Sequence, residues 1–498
     1  MLDIVRFRHR AAALLALCVV LRLVSLARPC LSDDEATYAV VAREMLAGHA
    51  LYRDVVDHKP PAIYLTYAVT QAVAGPLGGM FVLHALLIGV VWATGLLLAQ
   101  IVRRSARDPR APWAAALLWI VFTATLNDTN ALAANCELFM MLPLVGAVAV
   151  YLGGPATLPR LIATGALVGI AVLFKYQAGI QLPVFAIAWL AVNRAHPRRA
   201  LAGAAALGLG FAIPIAAAVA LLGATGALDA AAFWFRFNFA YIDAGGATIA
   251  IMFGRVAFVV GSNALLYGLA IAGLRGGRGF AIGWLVASAL AVCVGGRFFG
   301  HYFFQLTAPL VVLAAPVAVR LYDRRRSLAI AALAVPAAAY LVLGVIHDRV
   351  MTWAGEPDPD YASVVTWLDA HASRSEAICI WGNSPVLYFE ADRPLGCRFV
   401  FANYLTGLSP ATPTQTDPSI DSSMNIVPEA WDMLDDDLQT RRPMFLIDGS
   451  PGDVAFYGKY PPSKFPRLAR VLECDYRAEA VVAGMRIYRR LAGSRCRS

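Results

Sequence analysis

Arg103-Arg104-Ser105-Ala106-Arg107-Asp108-Pro109-Arg110 stands between two apolar runs, 80–102 and 112–127. Four arginines and one acid in so short a connector mark a loop held on one face of a bilayer. By the positive-inside rule that face is cytoplasmic. Working outward, the apolar runs give eleven spans, roughly 11–29, 80–102, 112–127, 137–153, 161–174, 178–193, 200–222, 251–273, 279–294, 302–319 and 327–346. Several fall short of the ~20 residues of a full crossing, so their ends extend a few residues into the connectors. The connectors on the Arg103 side carry 17 of the 26 basic residues of 1–346, beside only Asp3, Asp108 and Asp323. Ten of that half's 13 acids fall on the other side.

The composition agrees. Of 498 residues 59% are hydrophobic and 15% charged, and the mean hydropathy is +0.61. Soluble domains carry about 25% charge, so a soluble enzyme, a disordered chain and a small disulfide scaffold are excluded for the whole. The net charge of +9 belongs to the apolar half: residues 347–498 hold 16 basic against 20 acidic residues. With no basic face and no aromatic-basic interleaving, nucleic acid is set aside as a partner. The expected fold is an α-helical polytopic membrane protein of about eleven transmembrane helices with a C-terminal periplasmic α/β domain. Residues 1–346 form the membrane domain with an outer loop at 30–79, and 347–498 the periplasmic domain.

Two apolar stretches need separate treatment. The first run follows a basic start but has no small-residue cleavage site after it, so it reads as an uncleaved span with the N-terminus cytoplasmic. The stretch 62–75 is about fourteen residues long before Gly75-Pro76 and reads as interfacial or re-entrant. Counting it as a span would place the arginine clusters outside.

In the tail, Pro357-Asp358-Pro359-Asp360 leads into a helix over 361–372. Strands are expected at 377–381, 397–401 and 444–447, and helices at 386–390, with Ser384 as N-cap, and 428–440. A polar loop spans 408–428. With no phosphate loop, nucleophile elbow or metal spacing, the tail reads as an appendage. Cys379, Cys397, Cys474 and Cys496 fall on the outer side with Cys30 and Cys136, where a disulfide is permitted without the spacing naming a pair.

The chemistry gathers on that outer side. Ser32-Asp33-Asp34-Glu35 opens a short helix, with Tyr38, Val41, Met45 and Leu46 on one face, Arg43 and Glu44 on the other, and Gly48 ending it. It reads as amphipathic and lying at the membrane surface. One acid suffices for a cap, and Glu35 is the one a Ser32–Glu35 capping box accounts for. Three acids exceed what a cap requires, so Asp33, Asp34 and Glu35 are all candidate catalytic acids, Glu35 being the one with a structural role ready to hand. In Asp57-His58-Lys59-Pro60-Pro61, Lys59 is one of only four lysines in the chain. A lysine where arginine is the habit suits a compact charge for phosphate. The polar stretch 127–130 precedes Asn135-Cys136-Glu137, which puts an acid at the edge of hydrocarbon. Lys175 ends a span, and Arg297 and His301 open another, four apart and on one face if helical. Acids and cations on one side suit a base that activates a hydroxyl while cations hold a phosphate leaving group.

Asp34-Glu35-Ala36-Thr37-Tyr38-Ala39 with Ala42-Arg43-Glu44-Met45, then Lys59-Pro60-Pro61, Asn135-Cys136-Glu137 and 297–305 resemble, in this order, membrane glycosyltransferases of the GT-C class. The family 39 type is nearest, with its protein O-mannosyltransferases and lipid A aminoarabinose transferases. Trp381-Gly382-Asn383 and 388–394 resemble the tails of bacterial members. The resemblance implies a polyprenyl-phosphate sugar donor, a lipid, polysaccharide or protein acceptor, and inverting transfer at the periplasmic face of a bacterial inner membrane. It makes Asp34 the general base, with Asp33 as an alternative, and Glu137 the second-loop carboxylate. Lys59 would meet the donor phosphate, with Arg297 and His301 beside it. Tyr38, His58 and Lys175 join the substrate-binding set. His58 stands where aminoarabinose transferases commonly carry Glu, so the divalent cation compatible with these carboxylates has no established ligands here. The alternative class is a transporter or flippase of a lipid-linked sugar. It predicts charges or broken helices at the bilayer midplane and an internal repeat.

Overall fold

The computed structural model describes residues 2–125, 131–155, 157–243, 248–276, 279–353, 359–410, 412–417 and 419–496. The polar stretch 127–130 and Pro357-Asp358 lie outside them. Apolar helices make up the first 350 residues. Among the described residues three are long and apolar enough to cross a bilayer, Ala62–Arg103, Pro197–Ala224 and Gly300–Arg324, and several shorter apolar helices pack with them. The stretch read as one span at 251–273 is instead two helices, Ile249–Ser262 and Ala264–Gly273, bent by 78°. The break falls at Asn263, whose side-chain amide donates to the Val259 carbonyl at 2.9 Å. The first run is also interrupted, at buried Arg22, which donates to the carbonyls of Thr123, Ala131 and Leu132.

The break expected at Gly75-Pro76 is present. Ala62–Arg103 is continuous except at Gly75, whose φ of 76° and ψ of 175° leave the helix where Pro76 removes a backbone donor. Residues 62–74 therefore form a separate piece leading into the long span. Further on, Gly165 and Gly210 let two helices touch: a Cβ on Gly165 would come within 2.1 Å of the Leu207 carbonyl oxygen. This close approach seats the helix Leu158–Phe174, whose next residue is Lys175.

In the tail, strands β1 (Ile378–Trp381), β2 (Phe445–Asp448), β3 (Tyr476–Val482) and β4 (Met485–Arg490) form one mixed sheet in the order β1-β2-β4-β3. β1 and β2 run parallel and are fully buried, as their continuous apolar sequence requires. Helices Tyr361–His371, Pro385–Ala391 and Pro428–Thr440 match the expected ones. Ser384 takes the N-cap position of the second without a side-chain bond. Residues 397–401 do not join the sheet. They form a strap whose contacts include a bridge from Phe399 to Val56 and a disulfide from Cys397 to Cys379. A second disulfide joins Cys474 to Cys496, while Cys30 and Cys136 are free thiols.

The helix Asp33–Leu46 does not lie on a surface. It is buried between Ala62–Arg103 and the tail helix Pro385–Ala391. Its charged face meets the tail. Arg43 donates to the Tyr388 and Arg393 carbonyls and to Asp392 at 3.3, 2.6 and 3.3 Å, and Glu44 accepts from the Leu395 N–H. The Val56 N–H donates to the Arg398 carbonyl at 2.8 Å, and Arg441 donates to the Asp54 carbonyl at 2.6 Å. The tail is thus clamped onto the outer loop. Charge-assisted hydrogen bonds are worth about 1.5–3 kcal/mol each. Arg43→Ala is therefore expected to speed hydrogen exchange in β1 and Pro385–Ala391 at least tenfold, about 1.4 kcal/mol, with the long membrane helices unchanged.

Candidate active site

Where the outer loop, the helix ends and the tail meet, they enclose a cavity of about 1130 Å³. Its lining includes Asp33, Asp34, Tyr38, His58, Lys59, Glu137, Lys175 and His301 from the membrane half. Eight of the ten predicted site residues therefore converge, across nearly 270 residues of sequence.

Lys59 organises one side. Its Nζ donates to Asp34 Oδ1 at 3.0 Å, lies 3.6 Å from Asp57 Oδ2, and sits 4.8 Å from the Tyr38 ring centroid. Asp57 is fully buried behind it and accepts from Tyr64 OH and from the His58 N–H, both at 2.7 Å. Burial pushes the Asp57 carboxyl up, but Lys59, His58 and Tyr64 outweigh it and hold the group far below the usual carboxylate range. At Asp34 burial again acts upward, and the charges of Lys59 and His301 with the Lys59 hydrogen bond bring the net shift below the ordinary value. Lys59 is correspondingly raised: burial lowers it, and the two carboxylates more than reverse this.

The other side is a second acid–cation set. Glu137, buried in the first turn of Cys136–Tyr151, pairs with Lys175, and His301 Nε2 lies 3.7 Å from Glu137 Oε1. Lys175 Nζ also sits over the Tyr302 ring, 3.8 Å from its centroid. His301 Nδ1 is buried and has no partner. Asp33 is exposed at the cavity wall, whereas Asp34 is half-buried and paired.

Two predicted residues lie elsewhere. Arg297 is 1% exposed and does not line the cavity; it donates to the Pro410 carbonyl at 2.9 Å and to Ser409 Oγ at 2.7 Å. It is separated from His301 because Phe298, at φ 50°, breaks the helix the i,i+4 argument assumed. Glu35 points away from the cavity. Ser32 Oγ accepts from the Glu35 N–H as a cap, but the Glu35 carboxylate reaches Leu31 N–H at 2.6 Å and Ala134 N–H at 2.5 Å. It ties the loop before Glu137 to the helix bearing Asp34, with His84 Nε2 3.6 Å away. Among the described residues no three of His, Cys, Asp and Glu converge as metal ligands, so no ligand set for a divalent cation is found here.

Three contributors had no sequence assignment. Arg236 lines the cavity, exposed, on the helix Leu228–Asp243. That helix is fixed to the outer loop by Trp234, donating to the Tyr52 carbonyl, and Asn238, donating to the His58 carbonyl, both at 3.1 Å. Asp57 backs Lys59. Tyr404 comes from the tail, with its OH 3.0 Å from His58 Nδ1 and its ring against Trp234 and Phe237. The tail is therefore a wall of the site and not an appendage.

The sequence matches no protein-family model and no curated protein. The structure is similar to that of ArnT from Cupriavidus metallidurans bound to undecaprenyl phosphate, with a TM-score of 0.62 and 15% identity, covering 97% of this chain and 98% of that one. It is also similar to the Archaeoglobus fulgidus oligosaccharyltransferase in complex with zinc and sulfate, with a TM-score of 0.53 and 13% identity, covering 97% and 73%. The same archaeal protein, AglB, in complex with an inhibitory peptide and a dolichol-phosphate gives 0.51 at 13% identity, covering 97% and 74%. The chain has the GT-C fold of these polytopic membrane proteins.

Burial raises the Glu35 carboxyl from an ordinary 4.5 to about 7, against the two backbone donors that favour its ionised form. The folded state then holds the proton more tightly than the unfolded one, so stability falls as pH rises from about 4.5 through about 7. The loss is at most about 3 kcal/mol. The difference in melting temperature between the wild type and Glu35→Gln is expected to fall across that range, since only the wild type carries this contribution.

Proposed function

We propose that this protein is an integral-membrane glycosyltransferase. It moves a sugar from a polyprenyl-phosphate donor to an acceptor hydroxyl, with inversion, on the periplasmic face of a bacterial inner membrane. The observation that carries this reading is the Asp34–Lys59 pair, 3.0 Å apart on the wall of a cavity that also holds Lys175, Arg236 and His301. The undecaprenyl phosphate and dolichol-phosphate bound to proteins of the same fold support a lipid-phosphate ligand.

In the proposed reaction the acceptor oxygen attacks the anomeric carbon while its proton passes to the Asp34 carboxylate. The bond from that carbon to the phosphate oxygen breaks, and its electron pair leaves with the polyprenyl phosphate. The phosphate goes from a singly charged diester to a more highly charged monoester. Lys59, Lys175 and Arg236 therefore hold the departing group more strongly than the bound donor, which lowers the barrier. Asp34 is a weak base while Lys59 holds it. A donor phosphate that draws Lys59 away frees the carboxylate, and Asp57 keeps the ammonium from being stranded.

Transfer of labelled sugar from polyprenyl-phosphate sugars, in membranes carrying each variant, tests the assignment. Asp34→Asn is expected to lower transfer about 10²–10⁴-fold with insertion unchanged. Unchanged transfer would move the base to Asp33 or Glu137. Donor crossing vesicles without bond cleavage would favour the flippase. Arg236→Ala is expected to lower kcat about tenfold or more while leaving the pH profile in place, since it removes a fixed charge and no titrating group.

A further inference from the structure

The cavity has two chemically different halves. The membrane half brings every cationic side chain of the lining: Lys59, Lys175, Arg236 and the two histidines. Among the described residues the tail half brings none. It presents three amides, Asn383, Asn403 and Asn425, and one carboxylate, Glu429, set among the rings of Phe401 and Tyr404 and further apolar side chains. A surface without cations and with a carboxylate does not recognise a phosphate or another anion.

Those amides are held but not used up. Asn403 Nδ2 donates to Asn383 Oδ1, and Tyr457 OH donates to Asn403 Oδ1, both at 3.2 Å. The Asn383 amide nitrogen therefore keeps both its donors. Asn425 donates to the Gly407 carbonyl at 3.3 Å and keeps its oxygen, and Glu429 is exposed, with no hydrogen bond or ion pair among the described residues. The two arms of the wall are locked together. Ser422 Oγ donates to the Thr406 carbonyl at 2.8 Å, the Val427 N–H donates to the Tyr404 carbonyl at 2.9 Å, and at Gly407, φ 71°, a Cβ would strike the Ser422 carbonyl oxygen. A rigid set of unspent donors and acceptors beside aromatic rings matches a ring of hydroxyls that each donate and accept, with an apolar C–H face.

We propose that the tail wall is a subsite for an uncharged saccharide, supplied by the acceptor or by the donor's own sugar. This rests on the glycosyltransferase reading and narrows it: a phosphorylated saccharide is the wrong chemistry for the wall.

The test uses the full chain in lipid nanodiscs, with saturation-transfer NMR on a panel of neutral methyl glycosides and their 6-phosphates, and a separate titration with undecaprenyl phosphate. At least one neutral glycoside is expected to bind better than its phosphate. Asn425→Ala and Glu429→Gln are each expected to weaken that binding at least fivefold with undecaprenyl phosphate affinity unchanged. Repeating the measurement on Asp34→Asn loaded with a polyprenyl-phosphate sugar separates the sources. Glycoside still bound marks the acceptor's subsite, and glycoside displaced marks the donor sugar's. The proposal is overturned if no neutral glycoside binds, if both variants bind as the wild type does, or if the phosphates or a peptide panel bind more tightly. Failure of undecaprenyl phosphate to bind would instead count against the underlying function.

Discussion

One ammonium group shared between two carboxylates governs this site. Lys59 has lost most of its hydration, and a buried cation with one partner is costly to leave unpaired. Here it has two: Asp34 at 3.0 Å on the cavity wall and Asp57 at 3.6 Å behind it. Asp57 is itself held by Tyr64 OH and the His58 N–H, so the rear of the arrangement is fixed. Only the Asp34 contact faces the cavity, and only that contact can be exchanged for another anion without orphaning the lysine.

The tail depends on the same segment. The chain from 53 to 58 carries Asp57 and His58, and it is also where the tail docks, through Val56 to Arg398, Asp54 to Arg441 and His58 to Tyr404. The Cys379–Cys397 disulfide ties this strap to β1, so the sheet, the strap and the outer loop form one continuous support. Arg297 adds a second anchor from the membrane half, through Ser409 and Pro410. A residue placed in the substrate set on sequence grounds therefore holds the tail wall and does not line the cavity.

The particular residues show what a sequence reveals here and what it hides. The Gly75-Pro76 break expresses a local rule, a missing backbone donor, and it is found in the structure as read. The clustering of Asp34, Lys59, Glu137 and Lys175 was legible because acids and lysines are scarce in an apolar chain. Arg297 was misplaced because a single left-handed residue, Phe298, cancels the helical spacing. Arg236 and Tyr404 gave no signal, since one arginine on an aromatic helix and one tyrosine in a loop look ordinary until the tail folds over them. The hairpin β3–β4 left a signal that went unread: alternating residues on either side of Ala483-Gly484, both at positive φ as a tight turn needs.

The charge count of the cavity sets a condition on the proposed reaction. Asp33, Asp34 and Glu137 face Lys59, Lys175 and Arg236 in the lining, and Asp57 stands just behind. With Glu429 also in the lining, these acids outnumber the fixed cations by two, so a donor phosphate enters against a negative set unless a proton is taken up. The group best placed to take one is Asp34, because the phosphate competes with it for Lys59. Donor binding and the basicity of Asp34 are then linked. The carboxylate is kept ionised and weakly basic in the empty site, and it gains proton affinity only when the group that needs a base beside it has arrived. An acid with an unshared partner would lack that dependence, and so would a lysine with no Asp57 behind it.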